Sequence, residues 1–192
     1  MVKSELRILG VDDGPFNKLS KAKVLVVCTV FRGNHCLDGL LSFKVNKDGF
    51  DATSKLIKAI NETKHKSQLS VIMINGVSLG GFNIIDLYKL NKLTGLPVIA
   101  LIRRKPELAD IKKALTNLSN FNKRWSLIEQ LPIVSELIVP DGKVYYQFIG
   151  LPKTKAESII KLSILRGRIP EPVRVAHLIA GGITTGESRG RA

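Results

Sequence analysis

The sequence has few cysteines, few aromatic residues and no long uninterrupted apolar run. Only 6% of its 192 residues are Phe, Trp or Tyr, and its two cysteines are Cys28 and Cys36. Neither cysteine has CxxC or Cys/His ligand spacing, which argues against a thiol metal site and predicts reduced, structural thiols. No stretch approaches the ~20 apolar residues of a membrane span, and the first residues lack a signal-peptide core. We therefore expect a cytoplasmic protein without a membrane partner.

Acidic residues are also scarce relative to basic ones. Sixteen Asp and Glu stand against thirty Lys and Arg, which gives a formal net charge of +14 and a pI of about 10.0. Such a surface attracts polyanions, and nucleic acid is the first class of partner to consider. The 44% hydrophobic content, with charges spread along the chain, is typical of a folded protein. At this length we expect one domain over residues 1–192.

Three strands are predicted early in the chain, at residues 6–11, 24–31 and 36–45, because short β-branched and apolar runs recur there. The links between them are too short for crossover helices, so the strands should pair as an antiparallel meander. A flavodoxin-like or Rossmann sheet requires a helix after its first strand, and residues 14–21 are too few to supply one.

The rest of the chain alternates helical and strand patterns. A helix is predicted from Ala52, with Asp51 well placed to cap it, and another at residues 82–93. Buried strands are predicted at 71–74 and 97–102, helices after Pro106 and around Trp125, a hairpin at 136–149, a helix at 156–164 and a shorter one from Pro172. This order, β-β-β-α-β-α-β with a C-terminal hairpin and helices, predicts an α/β ribonuclease-H-like mixed sheet.

Two adjacent carboxylates in the segment GVDDGPF mark the end of the first predicted strand. In such a sheet the first and fourth strands end side by side, so Asp12 and Asn75 should be neighbours. Asp51, or alternatively Asp48, begins the first helix at the same edge. Carboxylates with water and phosphate oxygens hold Mg²⁺, which activates water for hydrolysis. The alternatives are an Asx turn at Asp12 and simple helix capping by Asp51.

The three histidines offer no comparable pattern. His35, His65 and His177 have no mutual spacing, so each is expected to be structural or exposed rather than catalytic. Asp86 is interpreted as a solvated helix position.

Several segments together resemble the archaeal endonuclease dU family. The resemblance covers nearly the whole chain and rests on GVDDGPF, TVFRG, LDGLLSFKVNKDGFDAT, INGVSLGGFNIIDL, TGLPVIALIRRKP and RGRIPEPVRVAHLIAGGITTGES. The same segments are more distantly similar to endonuclease V, through GVD, GLLSF, ING and, most specifically, RIPEPVRVAH. The resemblance implies a ribonuclease-H-like fold and cleavage, dependent on Mg²⁺ or Mn²⁺, of DNA that contains deoxyuridine or deoxyinosine.

The resemblance also implies candidate site residues. Asp12 matches the first metal-binding aspartate, Asp51 falls near the helix acid, and Arg103 stands where endonuclease V has a lysine. Asn75 departs from both families, which usually have aspartate there. An amide oxygen still ligates a hard cation, but the lost charge should lower metal affinity and water activation.

These observations support two main hypotheses. The first is an endonuclease with catalytic and metal-binding Asp12, Asp51 and Asn75, and with DNA, or alternatively RNA, held by Arg103, Arg104, Lys105, Arg166, Arg168 and Arg174. The second is a nucleic-acid-binding protein that has kept the fold but lost a ligand carboxylate at Asn75. A small-molecule enzyme or scaffold is a third class, suggested weakly by the glycine-rich NGVSLGGFN, which lacks the lysine of a P-loop.

Overall fold

A computed structural model describes residues 5–17, 19 and 22–188 of the chain. The predictions for residues 1–4, for 189–192 and for part of the link at 14–21 lie outside the described residues. In chain order the helices and strands are β1 (Arg7–Asp13), β2 (Val24–Arg32), β3 (Cys36–Val45), α1 (Ala52–Glu62), β4 (Val71–Asn75), β5 (Ser78–Leu79), β6 (Asn83–Ile84), α2 (Leu87–Thr94), β7 (Val98–Ile102), α3 (Leu108–Leu115), α4 (Phe121–Glu129), β8 (Ser135–Val139), β9 (Gly142–Ile149), α5 (Lys153–Ser163) and α6 (Glu171–Thr185).

Seven of these strands form one mixed sheet in the order β3-β2-β1-β4-β7-β9-β8. β1, β2 and β3 pair antiparallel, and β4 and β7 run parallel to β1. β9 then pairs antiparallel with both β7 and β8. The predicted meander, the parallel strands and the C-terminal hairpin are therefore confirmed. Within the part of the chain that the structure describes, no helix has the length and apolar character to cross a membrane.

Two predicted helices differ from the structure. Residues 82–93 are not one helix, because β5 and β6 form a small hairpin and α2 begins only after Asp86, whose carboxylate accepts a hydrogen bond from the Lys89 amide at 2.8 Å. The helix predicted from Pro172 is not short, because α6 extends over 15 residues, through Gly181 and Gly182. In both places tertiary packing, rather than the local pattern of apolar and glycine residues, determines where the helix begins or ends.

Alternation along the parallel strands sends side chains into two layers. Leu9 and Ile72 belong to a core with the side chains of α1 and α2, whereas Ile8 and Met73 belong to a core with those of α5. The same alternation places the even-numbered Asp12 of β1 on the layer opposite to α1. It therefore decides which helices each residue at a strand end faces.

α6 packs directly against β1 and β2. A Cβ atom at Gly10 would lie 2.2 Å from the carbonyl carbon of Pro172, so only glycine permits this approach. The neighbouring Thr29 donates its hydroxyl to the Pro172 carbonyl at 2.6 Å, and Val27 packs with Ala176 and Ala180. These contacts fix the position of α6 over the carboxyl end of β1.

Gly10→Ala is expected to lower the free energy of unfolding by about 1–3 kcal/mol, because the new methyl group overlaps helix backbone that cannot move without shifting α6. Chemical denaturation monitored by circular dichroism measures the change. Gly182→Ala in α6 is the matched control, since a Cβ there meets no atom within 4 Å and alanine should stabilise the helix. Equal stability of Gly10→Ala and the wild type would contradict the close approach.

Candidate functional site

Asp12 and Asn75 meet at the carboxyl ends of β1 and β4. The parallel register pairs Val11 with Ile74, so the next residue of each strand follows side by side. The Asn75 amide donates through Nδ2 to Asp12 Oδ2 at 2.9 Å. The two side chains are therefore neighbours, as the strand order led us to expect.

His177 lies against the same carboxylate. Its Nδ1 is 2.8 Å from Asp12 Oδ2, across 165 residues of sequence. Sequence analysis missed this contact, because it treated the three histidines only by their mutual spacing. A usable signal was present: His177 ends the RIPEPVRVAH segment, one helical turn after the buried Val173 that faces the sheet.

Asp12 is buried, and both oxygens of its carboxylate accept hydrogen bonds from protein donors. Oδ2 accepts from Asn75 and His177, and Oδ1 accepts from the Asp13 amide at 2.9 Å. Its hydrogen bond with Asp12 raises the pKa of His177, while burial and the charge of Arg103 oppose the rise. The pair therefore favours a protonated imidazole held in one orientation.

Arg103 contributes an unsatisfied donor next to this pair. Its Nη2 atom is buried and has no hydrogen-bond partner among the described residues. Burial lowers the pKa of Arg103, the nearby Asp12 raises it, and the like charge of Arg168 lowers it again. A buried guanidinium N–H without an acceptor is available to an oxygen of a bound ligand.

Asp13 points to the other side of the sheet. Its Oδ2 accepts from the Gly80 amide at 2.9 Å. Burial, and then the charge of Asp12, raise the pKa of Asp13 to about 7. The two adjacent carboxylates thus have different surroundings, and Asp13 changes its charge near neutral pH.

Asp51 and Asp48 do not join Asp12. Asp51 accepts from the Asn46 amide and from Asn83 Nδ2, and it pairs with Lys55 at 2.7 Å. Asp51 stands at the N-cap position of α1, but its side chain accepts no capping hydrogen bond from the first turn of the helix, and the Ala52 amide donates to Asn83.

Asp48 accepts from the Phe82 amide at 2.8 Å. In the described ranges, no group of three or more His, Cys, Asp or Glu side chains is arranged to hold a metal ion. Asp48 and Asp51 lie apart from Asp12 because α1 packs on the opposite face of the sheet from Asp12 and His177.

The remaining donors still fit one hard cation. Asp12 Oδ1 accepts a single hydrogen bond and so retains a lone pair, and a half-turn of the Asn75 amide would present its oxygen. Mg²⁺ in proteins commonly uses one or two carboxylates and completes its shell with water and phosphate. The donor set therefore suits Mg²⁺ or Mn²⁺ with one carboxylate, one amide and solvent.

The predicted phosphate contacts fall into separate places. Arg103, Arg166, Arg168 and Arg174 share the lining of one cavity of about 560 Å³. Lys105 instead lines a second cavity of about 680 Å³, whose lining includes Gly76 and is mostly apolar. Arg104 is exposed and lines neither cavity. The structure thus brings four of the six predicted cations together.

The chain is similar over nearly its whole length to proteins of one family. Residues 4–184 match the family model described as Endonuclease dU. A UPF0215 protein of Methanothermobacter thermautotrophicus is 45% identical over 192 residues, which are 100% of this chain and 94% of that protein. A crystal structure from Archaeoglobus fulgidus superposes with a TM-score of 0.85 at 35% identity and covers 94% of this chain and 99% of that one.

Endonuclease V is similar in fold. The Ciona intestinalis enzyme, crystallised with a 24mer DNA containing an inosine followed by a ribo-adenosine, gives a TM-score of 0.60 at 13% identity. The match covers 89% of this chain and 82% of that one. The ribonuclease-H-like mixed sheet expected from the element order is therefore confirmed.

Asp13→Asn is expected to stabilise the protein at alkaline pH. The pKa of Asp13 is about 7 in the folded protein, whereas an ordinary aspartate has a pKa of 3.8, so ionisation of Asp13 lowers the free energy of unfolding as the pH rises between these values. Asparagine cannot ionise and still accepts from Gly80. In EDTA, its stability advantage over the wild type should grow by on the order of 2 kcal/mol between pH 5 and pH 8.

Thermal unfolding at the two pH values measures this difference. Asp110→Asn, at an exposed carboxylate on α3, is the control. A pH-independent difference between Asp13→Asn and the wild type would contradict the burial of an ionisable Asp13.

Proposed function

Because the chain belongs to the endonuclease dU family, we propose that it is a divalent-metal-dependent endonuclease that acts on DNA containing deoxyuridine or deoxyinosine. The observation that carries the proposal is the contact of the buried Asp12 with the partly exposed His177, beside an Arg103 guanidinium that has a buried N–H without an acceptor. Hydrolysis of a phosphodiester needs a proton acceptor for water and positive charge around the phosphate. This cluster offers both at one end of the sheet.

Asp12 positions His177 for proton transfer. The carboxylate holds Nδ1 at 2.8 Å, which leaves Nε2 free to exchange a proton with water. When neutral, His177 takes a proton from the attacking water, and solvent protonates the leaving oxygen, which departs from the opposite side of the phosphorus. Arg103 Nη2 donates to a phosphate oxygen and opposes the charge that develops there.

A divalent ion, when bound by Asp12 Oδ1 and the Asn75 amide oxygen, would stabilise negative charge on the phosphate and lower the pKa of a bound water. Turning the Asn75 amide toward the ion would give up its hydrogen bond to Asp12 Oδ2, whereas His177 would keep its own contact with that oxygen. We do not include Asp51 in this set, since it is engaged with Lys55, Asn46 and Asn83.

The second cavity, which Gly76 and Lys105 help to line, supports the choice of a base as part of the substrate. Gly76 directly follows Asn75, and the cavity walls include Trp125 and Phe82. Enzymes that act at a damaged base commonly take it out of the stack and enclose it between aromatic and apolar side chains. A mostly apolar cavity beside the Asp12 cluster suits this requirement.

A second candidate function is nucleic-acid binding without cleavage. The observation that favours it is the hydrogen bond from Asn75 to Asp12, in which a neutral donor occupies a position suited to a second carboxylate. Such a protein would bind DNA in a salt-sensitive, metal-independent manner, because counterion release would supply the affinity.

The wild type is expected to nick oligonucleotides containing deoxyuridine or deoxyinosine in Mg²⁺ or Mn²⁺. Asp12→Asn removes the negative charge that orients and charges His177, and His177→Gln removes the proton carrier. Each should slow nicking by about 10²-fold or more in a denaturing-gel time course. His35→Gln, at an exposed histidine, is the matched control and should leave the rate unchanged.

Absence of nicking by the wild type, or equal rates for the wild type and Asp12→Asn, would exclude this site as the nuclease centre. Equal cutting of undamaged DNA would overturn the lesion preference. Asp51→Asn is a further comparison. If it slows nicking as much as Asp12→Asn does, Asp51 belongs to the active site.

Asn75→Asp distinguishes the two candidate functions. Without metal it places two carboxylates in contact, so the Tm should fall, and saturating Mg²⁺ should raise the Tm more than it does for the wild type. Calorimetry with and without EDTA measures both effects. Cleavage by Asn75→Asp but not by the wild type would favour the binding-only function, whereas loss of wild-type cleavage in the variant would show that the amide is required.

A further inference from the structure

A strongly basic cavity adjoins the Asp12 cluster. The β8–β9 turn, the loop between α5 and α6, and α6 itself form its walls, and Arg103 connects it to the candidate active site. We call it the basic cavity, and its lining residues are Arg103, Asp141, Lys143, Val144, Arg166, Gly167, Arg168, Ile169, Arg174 and Leu178.

The cations of the basic cavity are poorly neutralised by protein. Arg174 pairs with the buried Glu171 at 2.6 Å, and Lys143 pairs with Glu136 at 2.6 Å. Arg103, Arg166 and Arg168 form no ion pair with any residue that the structure describes. Three guanidinium groups therefore share one concave space without an ion-pair partner, and Asp141 is the one carboxylate among the lining residues, so a bound anion would relieve their repulsion.

Several of these side chains are held in place before any ligand binds. The Arg174 Nε is fixed by Glu171, which is 3% exposed, and Arg103 Nη2 is buried without an acceptor. Arg168 lies across Gly142, where a Cβ would be 3.2 Å from its Cδ atom. Prearranged donors lower the ordering cost of binding and favour bidentate contacts with phosphate oxygens.

The ligand chemistry follows from the charge and from the position of Arg103. A single phosphodiester carries one negative charge, which is too few for three unpaired guanidinium groups. Arg103 interacts with Asp12 and also lines the basic cavity, so the two sites are continuous. A strand whose cut phosphate lies at Asp12 would present its next phosphates to this cavity.

We propose that the basic cavity binds the consecutive phosphodiesters that flank the cut phosphate on one side of the same strand. The proposal rests on the function proposed above and adds a requirement to it: the substrate must continue as a phosphodiester-linked strand on that side. The affinity from this cavity does not depend on metal, so binding can be tested in EDTA, apart from cleavage.

The first test compares two double variants by fluorescence anisotropy with a labelled single-stranded oligonucleotide. Arg166→Ala with Arg168→Ala removes two exposed cavity cations, whereas Lys89→Ala with Lys92→Ala removes two exposed cations from α2, on the other face of the sheet. The slope of log K against log salt should become shallower by roughly 1.4 for the cavity variant and should not change for the control. Equal slopes for both variants would overturn the proposal.

The second test places neutral methylphosphonate linkages at successive positions on either side of a deoxyuridine. Linkages on one side should weaken wild-type binding and should have no further effect in the cavity variant. The same loss in both proteins, or equal losses on the two sides, would overturn the proposal. Recovery of wild-type affinity by a terminal phosphate on an oligonucleotide truncated at the cut would assign the cavity to strand ends instead.

The two proposals can fail separately. Side-specific, cavity-dependent binding without any nicking would overturn the endonuclease and leave the phosphodiester site standing. Nicking that Asp12→Asn abolishes, with no side-specific binding, would support the endonuclease and overturn the phosphodiester site.

Discussion

The structure of the candidate site depends on the carboxylate of Asp12. It is buried, and it receives hydrogen bonds from its own strand, from β4 and from α6. A buried carboxylate is unfavourable unless such donors are present, so the three elements must assemble together around it. The same bonds that offset the burial also orient Asn75 and His177. The same hydrogen bonds thus stabilise this end of the sheet and position the side chains of the candidate active site.

The layering of the sheet divides the polar groups by role. Asp12 and His177 lie on the side of α6, where Arg103 and the basic cavity continue the positive surface. Asp13, one residue further on, turns to the Gly80 amide on the other side, where burial raises its pKa to about 7. A period of two along β1 therefore separates a carboxylate that contacts His177 from one that changes its charge near neutral pH.

Strand order and the meeting of Asp12 with Asn75 could be predicted from the sequence because both follow from local runs and from the geometry of parallel strands. The contact of His177 could be predicted only in part: the helical spacing from the buried Val173 turns His177 toward the sheet, but the residue that it meets depends on how α6 crosses β1, which the packing of Gly10 against Pro172 decides. The contacts of Asp51 depend on packing in the same way. A helix start can be read from sequence, but the face of the sheet that the helix covers cannot.

The close crossing of α6 over β1 has a consequence for interpreting variants of this protein. The position of the His177 side chain is set by how α6 packs on the sheet. Enlarging Ala176 or Ala180, which pack on Val27, would displace His177 without altering any group that touches substrate. Variants along this contact will therefore lose activity in the same way as variants of the catalytic residues. Their crystal structures should show a tilted α6 above an unchanged end of β1.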